Sequence, residues 1–237
     1  KNFNNYFGRI YQARYLAGIA AGLKTQSNKI GYVAAWGTEN GEVTSGLDAF
    51  AMGAYSVNPD CEVYVKTTNS WFDPEGEKQA AEALIALGAD VIGQHCDTTA
   101  PQVAAQEKGA FAVGYNASTL EAAPKAYLTS PIWDWGKYYT SEVERIINGT
   151  WKSQRIWAES STGIVYLDKL SENCEPGTQE AVDAAKAKID SGELKIFAGP
   201  LKDNKGAERV PAGSEMTDEE MWTMPWFVDN VIGTALE

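Results

Sequence analysis

The stretch GADVIGQHCDTTAP (residues 88–101) brings together the chain's single histidine, His95, with Cys96 and Asp97. Those residue types could make a nucleophile with its base, hold a metal, or line the lip of a pocket that only binds. A Cys–His pair works when the two side chains face each other and a third group orients the base. Adjacent residues at a strand end point to opposite sides, which speaks against covalent catalysis. Cys61, Cys96 and Cys174 show no CxxC spacing, and there is no second histidine to join them. No metal site and no catalytic residue is therefore expected. Cys96 then reads as a small packed side chain, and His95 as a hydrogen-bonded strand-end residue or part of the pocket lip. Asp97 either complements a helix dipole or touches a ligand.

Other candidates fall at similar places. Trp36 closes the run KIGYVAAW, Trp71 and Phe72 follow EVYVKTT, Asn116 follows AFAVGY, and Trp133 follows AYLTS. Aromatic rings repeated at strand ends, beside an Asp and an Asn, describe a pocket able to sandwich a flat ring and hydrogen-bond its edge. Taken singly, each ring could equally be packing. No GxGxxG follows a strand and no GxxxxGK[ST] occurs, so nucleotide phosphates, dinucleotides and bound cofactors are not expected.

These residues need a scaffold. The runs at 29–36, 62–68, 90–95, 110–115 and 126–130 are apolar through most of their length, as strands covered on both faces should be. Between them, EVTSGLDAFAMGAYSVN, DPEGEKQAAEALIALG and APQVAAQEKG carry helical spacing and end at Gly or Asn. A βαβαβ register predicts a doubly wound parallel sheet, with ligands at the carboxyl ends of its strands. Thr98 or Thr99 is the expected cap of the third helix, with Pro101 in its first turn.

Some stretches fit this register less simply. NNYFGRIYQARYLAGIAAGLKT reads as one long helix with no strand before it. PIWDWGKYYTSEVERIINGTW reads as a helix, TGIVYLDKL as a strand, and TQEAVDAAKAKIDSGELKIFAGPL as a helix leading to a strand. Residues 202–217 read as loop.

Composition narrows the function. The 237 residues carry 20 Lys+Arg against 32 Asp+Glu, a net charge of −12. That balance repels phosphate backbones and anionic lipid surfaces, so neither nucleic acid nor a membrane surface is an expected partner. No apolar run reaches the length of a bilayer span.

The segments YFGRIYQARYLAGIAAGLKTQSNKIGYVAAW, VNPDCEVYVKTTNSWFDPEGEKQAAEALIALGADVIGQHCDTTAP, YLTSPIWDWGKYY and INGTWKSQRIW resemble the basic membrane protein (BMP) family. Its members are substrate-binding lipoproteins of ABC transporters, including the PnrA-like purine nucleoside binders. The resemblance implies an α/β, type I periplasmic-binding fold with two doubly wound parallel-sheet lobes and ligand in the cleft between them. It also implies that the first lobe is incomplete here, since full members begin well before the YQARYLAG helix. Residues 1–27 would be a remnant of the amino-terminal lobe, 28–130 the carboxy-terminal lobe, and 131–237 crossover segments and elements shared by both.

By the same resemblance Trp36 matches a ring that stacks on the base. Asn116 stands where nucleoside binders use an aspartate for ribose, and Trp133 where they use a lysine. Those departures imply a purine base, such as adenine, rather than a full nucleoside. The implied site is Trp36, Trp71, Phe72, His95, Asp97, Asn116 and Trp133. The implied partners are that small molecule and an ABC permease, with the protein at the periplasmic or outer cell surface through a lipid anchor absent from this chain. A nucleoside-hydrolysing enzyme in the same cleft, or a solute sensor on the same fold, are the alternatives.

Overall fold

In the computed structural model, which describes residues 2–233, the apolar runs and helical segments alternate as β1 (Asn5–Gly8), α1 (Ile10–Lys24), β2 (Lys29–Ala34), α2 (Gly41–Val57), β3 (Glu62–Thr67), α3 (Pro74–Ala86), β4 (Val91–His95), α4 (Ala100–Lys108) and β5 (Phe111–Ala112). There follow β6 (Pro131–Trp133), α5 (Trp135–Ile147), β7 (Arg155–Ala158), β8 (Val165–Leu167), α6 (Thr178–Asp190), β9 (Leu201–Lys202), β10 (Glu208–Val210), α7 (Asp218–Trp222) and β11 (Val231–Ile232). The main sheet is five-stranded and parallel, in the order β11-β3-β2-β4-β5. The doubly wound α/β layout expected from the βαβαβ register is therefore present.

Local signals set the helix starts. Asp73 caps α3 by accepting from the Gly76 amide at 3.1 Å, with Pro74 in its first turn. Asn40 caps α2 through the Glu42 and Val43 amides. At α4 the cap residue is Thr99, but the Thr98 hydroxyl accepts from the Ala100 amide at 3.1 Å.

Helices α1 and α2 lie side by side and in parallel. A Cβ on Gly18 would collide with the Phe50 carbonyl, one on Gly22 with Ala54, and one on Gly53 with the Tyr15 carbonyl. Glycine there lets two backbones touch. Thirteen of the fifteen α1 residues are buried, which makes α1 an internal layer rather than a surface helix.

Several segments differ from the sequence expectations. The opening stretch is not one helix: Asn5–Gly8 is a strand paired in parallel with β7, and the helix starts at Ile10. Gly8 fits there because a Cβ would press on Val165 and Trp133. Residues 126–130 form no named strand. They run beside 112–114 through a bridge from Tyr127 to Ala112 and backbone hydrogen bonds between Ala112 and both Ala126 and Leu128 and from Gly114 to Thr129, a pairing too short to count as a strand. The helix expected from Pro131 onward is preceded by β6, which pairs antiparallel with β8. Residues 195–200 turn instead of extending, so the strand after α6 begins at Leu201. The expected loop at 202–217 holds a strand, β10, paired with β9. The aromatic tail adds β11 to the edge of the main sheet.

Candidate functional site

The carboxyl ends of β2 and β4 sit side by side, since Ala34 and His95 are register partners. Each strand therefore delivers its next residues to one place. Trp36 and Trp71 meet edge to face at 6.4 Å, Trp71 and His95 lie 5.9 Å apart, and His95 and Tyr115 5.1 Å. The Asp97 amide donates to the Trp71 carbonyl at 2.8 Å, which ties the two loops together. Behind them, buried Glu77 accepts from the Thr98 amide and hydroxyl and from the Asp73 amide.

The neighbours at the strand end do point apart. Cys96 packs among Ala80, Leu84 and Ala104 on the α3/α4 side. Its thiol contacts the Val33 carbonyl at 3.8 Å, and burial pushes its pKa far up. His95 faces the other way and is fully buried, so it is not an exposed lip residue. Its Nε2 lies 2.8 Å from Glu42 Oε2 and 3.3 Å from Arg14 Nη2. Burial lowers the His95 pKa, Arg14 lowers it further, and Glu42 opposes both. For Glu42, burial works to raise the pKa, but His95 and Arg14 outweigh it and leave the carboxyl below its ordinary value. The pair at pH 7 is a neutral imidazole and a carboxylate.

Arg14, Glu42 and Tyr115 were not singled out from the sequence. Arg14 stacks over the Tyr115 ring at 5.0 Å, sits 3.8 Å from Glu42 Oε1 and donates to Asn116 Oδ1 at 3.4 Å. A signal was available: between Ile10 and Leu23, Arg14 is the one charged residue in an apolar helix. A charge on such a face requires a buried partner. A second was Gly46, one turn after Glu42, where a Cβ would press on Arg14 and His95.

Of the other sequence-selected residues, Asp97 is exposed, and partial burial with Glu77 nearby raises its pKa. Phe72 is 69% exposed. Trp133 belongs to a different set of rings. It stacks on Trp135 at 4.5 Å and meets Phe7 at 4.8 Å, and Phe7 in turn meets Trp222 at 5.3 Å. The Trp222 carbonyl rests against Gly41, the residue before Glu42. The two sets of rings thus approach the amino end of α2 from two directions.

A cavity of about 440 Å³ opens elsewhere, at the amino end of α1. Its polar walls are paired with one another, Arg9 with Glu159 and Asp218, and Ser160 with Asp190. None of the sequence-selected residues lines it. Among the described residues no cluster of His, Cys, Asp and Glu is arranged to hold a metal, and no helix is long and apolar enough to cross a membrane.

The family described as ABC transporter substrate-binding protein PnrA-like matches residues 1–198. A purine-binding protein of Brucella abortus is 36% identical over 97% of this chain and 65% of its own length. A Haloferax volcanii protein, provisionally named as an ABC transporter glucose-binding protein, is 41% identical over 82% of this chain and 49% of its own. Among solved structures, an ABC transporter solute-binding protein from Conexibacter woesei superposes with a TM-score of 0.69 at 23% identity, over 82% of this chain and 65% of that one. One from Aeropyrum pernix gives 0.68 at 19% identity, over 80% and 65%. These structures share the fold, of the periplasmic binding protein type I kind. The chain spans about half to two thirds of the length of these relatives.

Proposed function

The chain belongs to the PnrA-like family of ABC transporter substrate-binding proteins, and from that premise we propose that it binds a purine base, adenine being the first candidate, at the carboxyl ends of β2 and β4. The observation that carries the reading is the run of rings from Trp36 through Trp71 to His95 and Tyr115, with Glu42, Asp97 and Asn116 offering hydrogen bonds beside it. A flat heterocycle gains from stacking and from its edge being paired once water is excluded. The name of the Brucella abortus relative supports the same class.

In this reading Trp36 and Trp71 cover the ring, Asp97 and Asn116 face its edge, and His95 stiffens the wall from behind. Phe72 and Trp133 are rim contacts, Trp133 reaching the ligand from the side of Phe7. Residues 28–130 supply one wall, and β1, β6, β7, β8 and α5 belong to the other. The loaded form is what an ABC permease receives, outside the cytoplasmic membrane, where bacterial proteins of this family act. A lipid anchor would hold the protein there.

Binding without turnover follows from the chemistry of the strand end. Burial holds Cys96 as a thiol, and His95, buried, points to the opposite side of the strand, so the two do not form a nucleophile and its base. A second reading, a sugar ligand, draws on the Haloferax volcanii relative. Isothermal titration with adenine, adenosine, guanine, guanosine and glucose separates them. Adenine is expected to bind at least as tightly as adenosine. Glucose binding with no purine response sinks the purine reading, and hydrolysis of adenosine sinks the assignment as a binder.

A further inference from the structure

A fully buried guanidinium usually finds acceptors for most of its five N–H groups. Arg14 is 2% exposed, its Nε has no partner, Nη2 approaches Asn116 and Glu42, and the Tyr32 hydroxyl lies beside the guanidinium. The 3.3 Å approach to His95 Nε2 adds no hydrogen bond when that nitrogen donates to Glu42, which it does at 2.8 Å. The His95 proton is therefore on Nε2, leaving Nδ1 unprotonated and without a partner. Arg14 is thus held by charge and by the Tyr115 face more than by hydrogen bonds.

What Arg14 does to its neighbours is more specific. A guanidinium only donates, so the Asn116 oxygen must face it. The Asn116 NH2 is left on the side away from Arg14, on a half-buried side chain, with no hydrogen bond among the described residues. Glu42, partly exposed, keeps accepting capacity beyond its bond to His95. Two unlike groups therefore stand near each other, an N–H donor and a carboxylate acceptor.

We propose that Arg14 is a positioning residue that sets the hydrogen-bonding polarity of the cleft: by holding the Asn116 carbonyl and the Glu42 carboxylate, it presents one donor and one acceptor to a neutral flat ring bearing an acceptor and a donor on its edge. The class of ring rests on the purine reading above, but the positioning does not. Anions are rejected by Glu42, and rings whose edge carries only acceptors leave the carboxylate unpaired.

The test uses the whole chain and two readouts. Because His95 is the single histidine, its ring signals in NMR need no assignment. In Arg14→Met the His95 titration midpoint moves up, since a neighbouring cation has been removed, while Glu42→Gln moves it down. The Asn116 side-chain amide signals shift in Arg14→Met and in the milder Arg14→Lys, which keeps the charge and covers the case in which Arg14→Met does not fold. For binding, Arg14→Lys weakens adenine about tenfold, as expected for one misplaced polar contact. Asn116→Asp weakens it by a similar factor, and the double variant is no worse than Asn116→Asp alone. Fully additive losses, or Asn116 amide signals that do not move in Arg14→Lys, overturn the proposal. If the wild-type protein binds no purine, the functional reading falls alone. The positioning claim is then decided by the His95 midpoint in Arg14→Met and the Asn116 signals in Arg14→Lys, and it is overturned if the Asn116 signals do not move.

Discussion

Helices α1 and α5 both carry apolar residues at helical spacing, yet α1 buries thirteen of its fifteen residues and α5 buries one, Tyr138. Around α1 the sheet, α2 and the tail close on every side, so even Arg14 is drawn inside. Around α5 the Tyr6 ring stacks on Tyr138 and meets Trp135 edge to face, while Tyr139, Val143, Ile146 and Ile147 face outward. Strands β1 and β7 beneath it make only a two-stranded sheet, an arrangement that has little stability of its own in water. The contrast teaches that amphipathic pattern states which face of a helix wants cover, and the surrounding layers decide whether it gets any.

The largest test of this contrast is in the dense region. Phe50→Ala, whose ring packs from α2 onto Tyr32 and over Gly93 of the sheet, is expected to cost about 3–5 kcal/mol in urea unfolding, because α2, held by its backbone contact with α1, cannot move in to close the cavity. A loss near 1 kcal/mol would mean the helices re-close and are less rigidly placed than described.

At the site between the two regions, Trp36→Ala is expected to weaken purine binding by about 1–3 kcal/mol in titration, with Trp36→Phe keeping most of the affinity. Equal losses in both variants would assign Trp36 to packing.

Asp48 gives a smaller effect of opposite sign. Both its oxygens are buried without a hydrogen bond of ordinary length, and burial raises its pKa well above 3.8 against a weaker opposing pull from the nearby Val228 amide. Folding therefore keeps it protonated, whereas the unfolded chain ionises it near 3.8. Its contribution is fully favourable below that pH and declines as pH rises toward the folded value. Asp48→Asn should raise stability at pH 7 by on the order of 1 kcal/mol, with the gain shrinking toward pH 4 in scanning calorimetry. A gain independent of pH would mean that Asp48 is not protonated in the fold.

The smallest effect belongs to α5. Ile147, 77% exposed, can become Ser with a change within about 0.5 kcal/mol. A clear loss would show that this face is covered in solution.

Much of the core was legible because its signals are local and repeated. The β2–α2–β3–α3–β4–α4 series follows from apolar runs, Asn40, Asp73 and Pro74, and glycine at the stops. The Trp36–Trp71–His95 contact was legible as a consequence of parallel strands ending together. What escaped was set by distant partners. Asn5–Gly8 becomes a strand because residues 155–158 lie beside it, 150 positions away. Residues 126–130 lie along 112–114 but hold only a single bridge there, since the main sheet ends at two-residue β5. Sequence leaves His95 as either a hydrogen-bonded strand-end residue or part of the lip, because it shows where a strand ends but not which helix covers it; Arg14 and Glu42 cover it from α1 and α2, which decides for the first.

The glycines between α1 and α2 act as a ruler. Arg14 meets Gly46, Gly18 meets Phe50 and Gly22 meets Ala54, three rungs spaced four residues apart on both helices. Backbone contact at the upper rungs leaves no room for one helix to roll or slide, so the height and bearing of the lowest rung are inherited from them. Adding or removing one residue in either helix would swing Arg14 about a hundred degrees away from Glu42. The polarity of the cleft is thus calibrated by side chains that are not there.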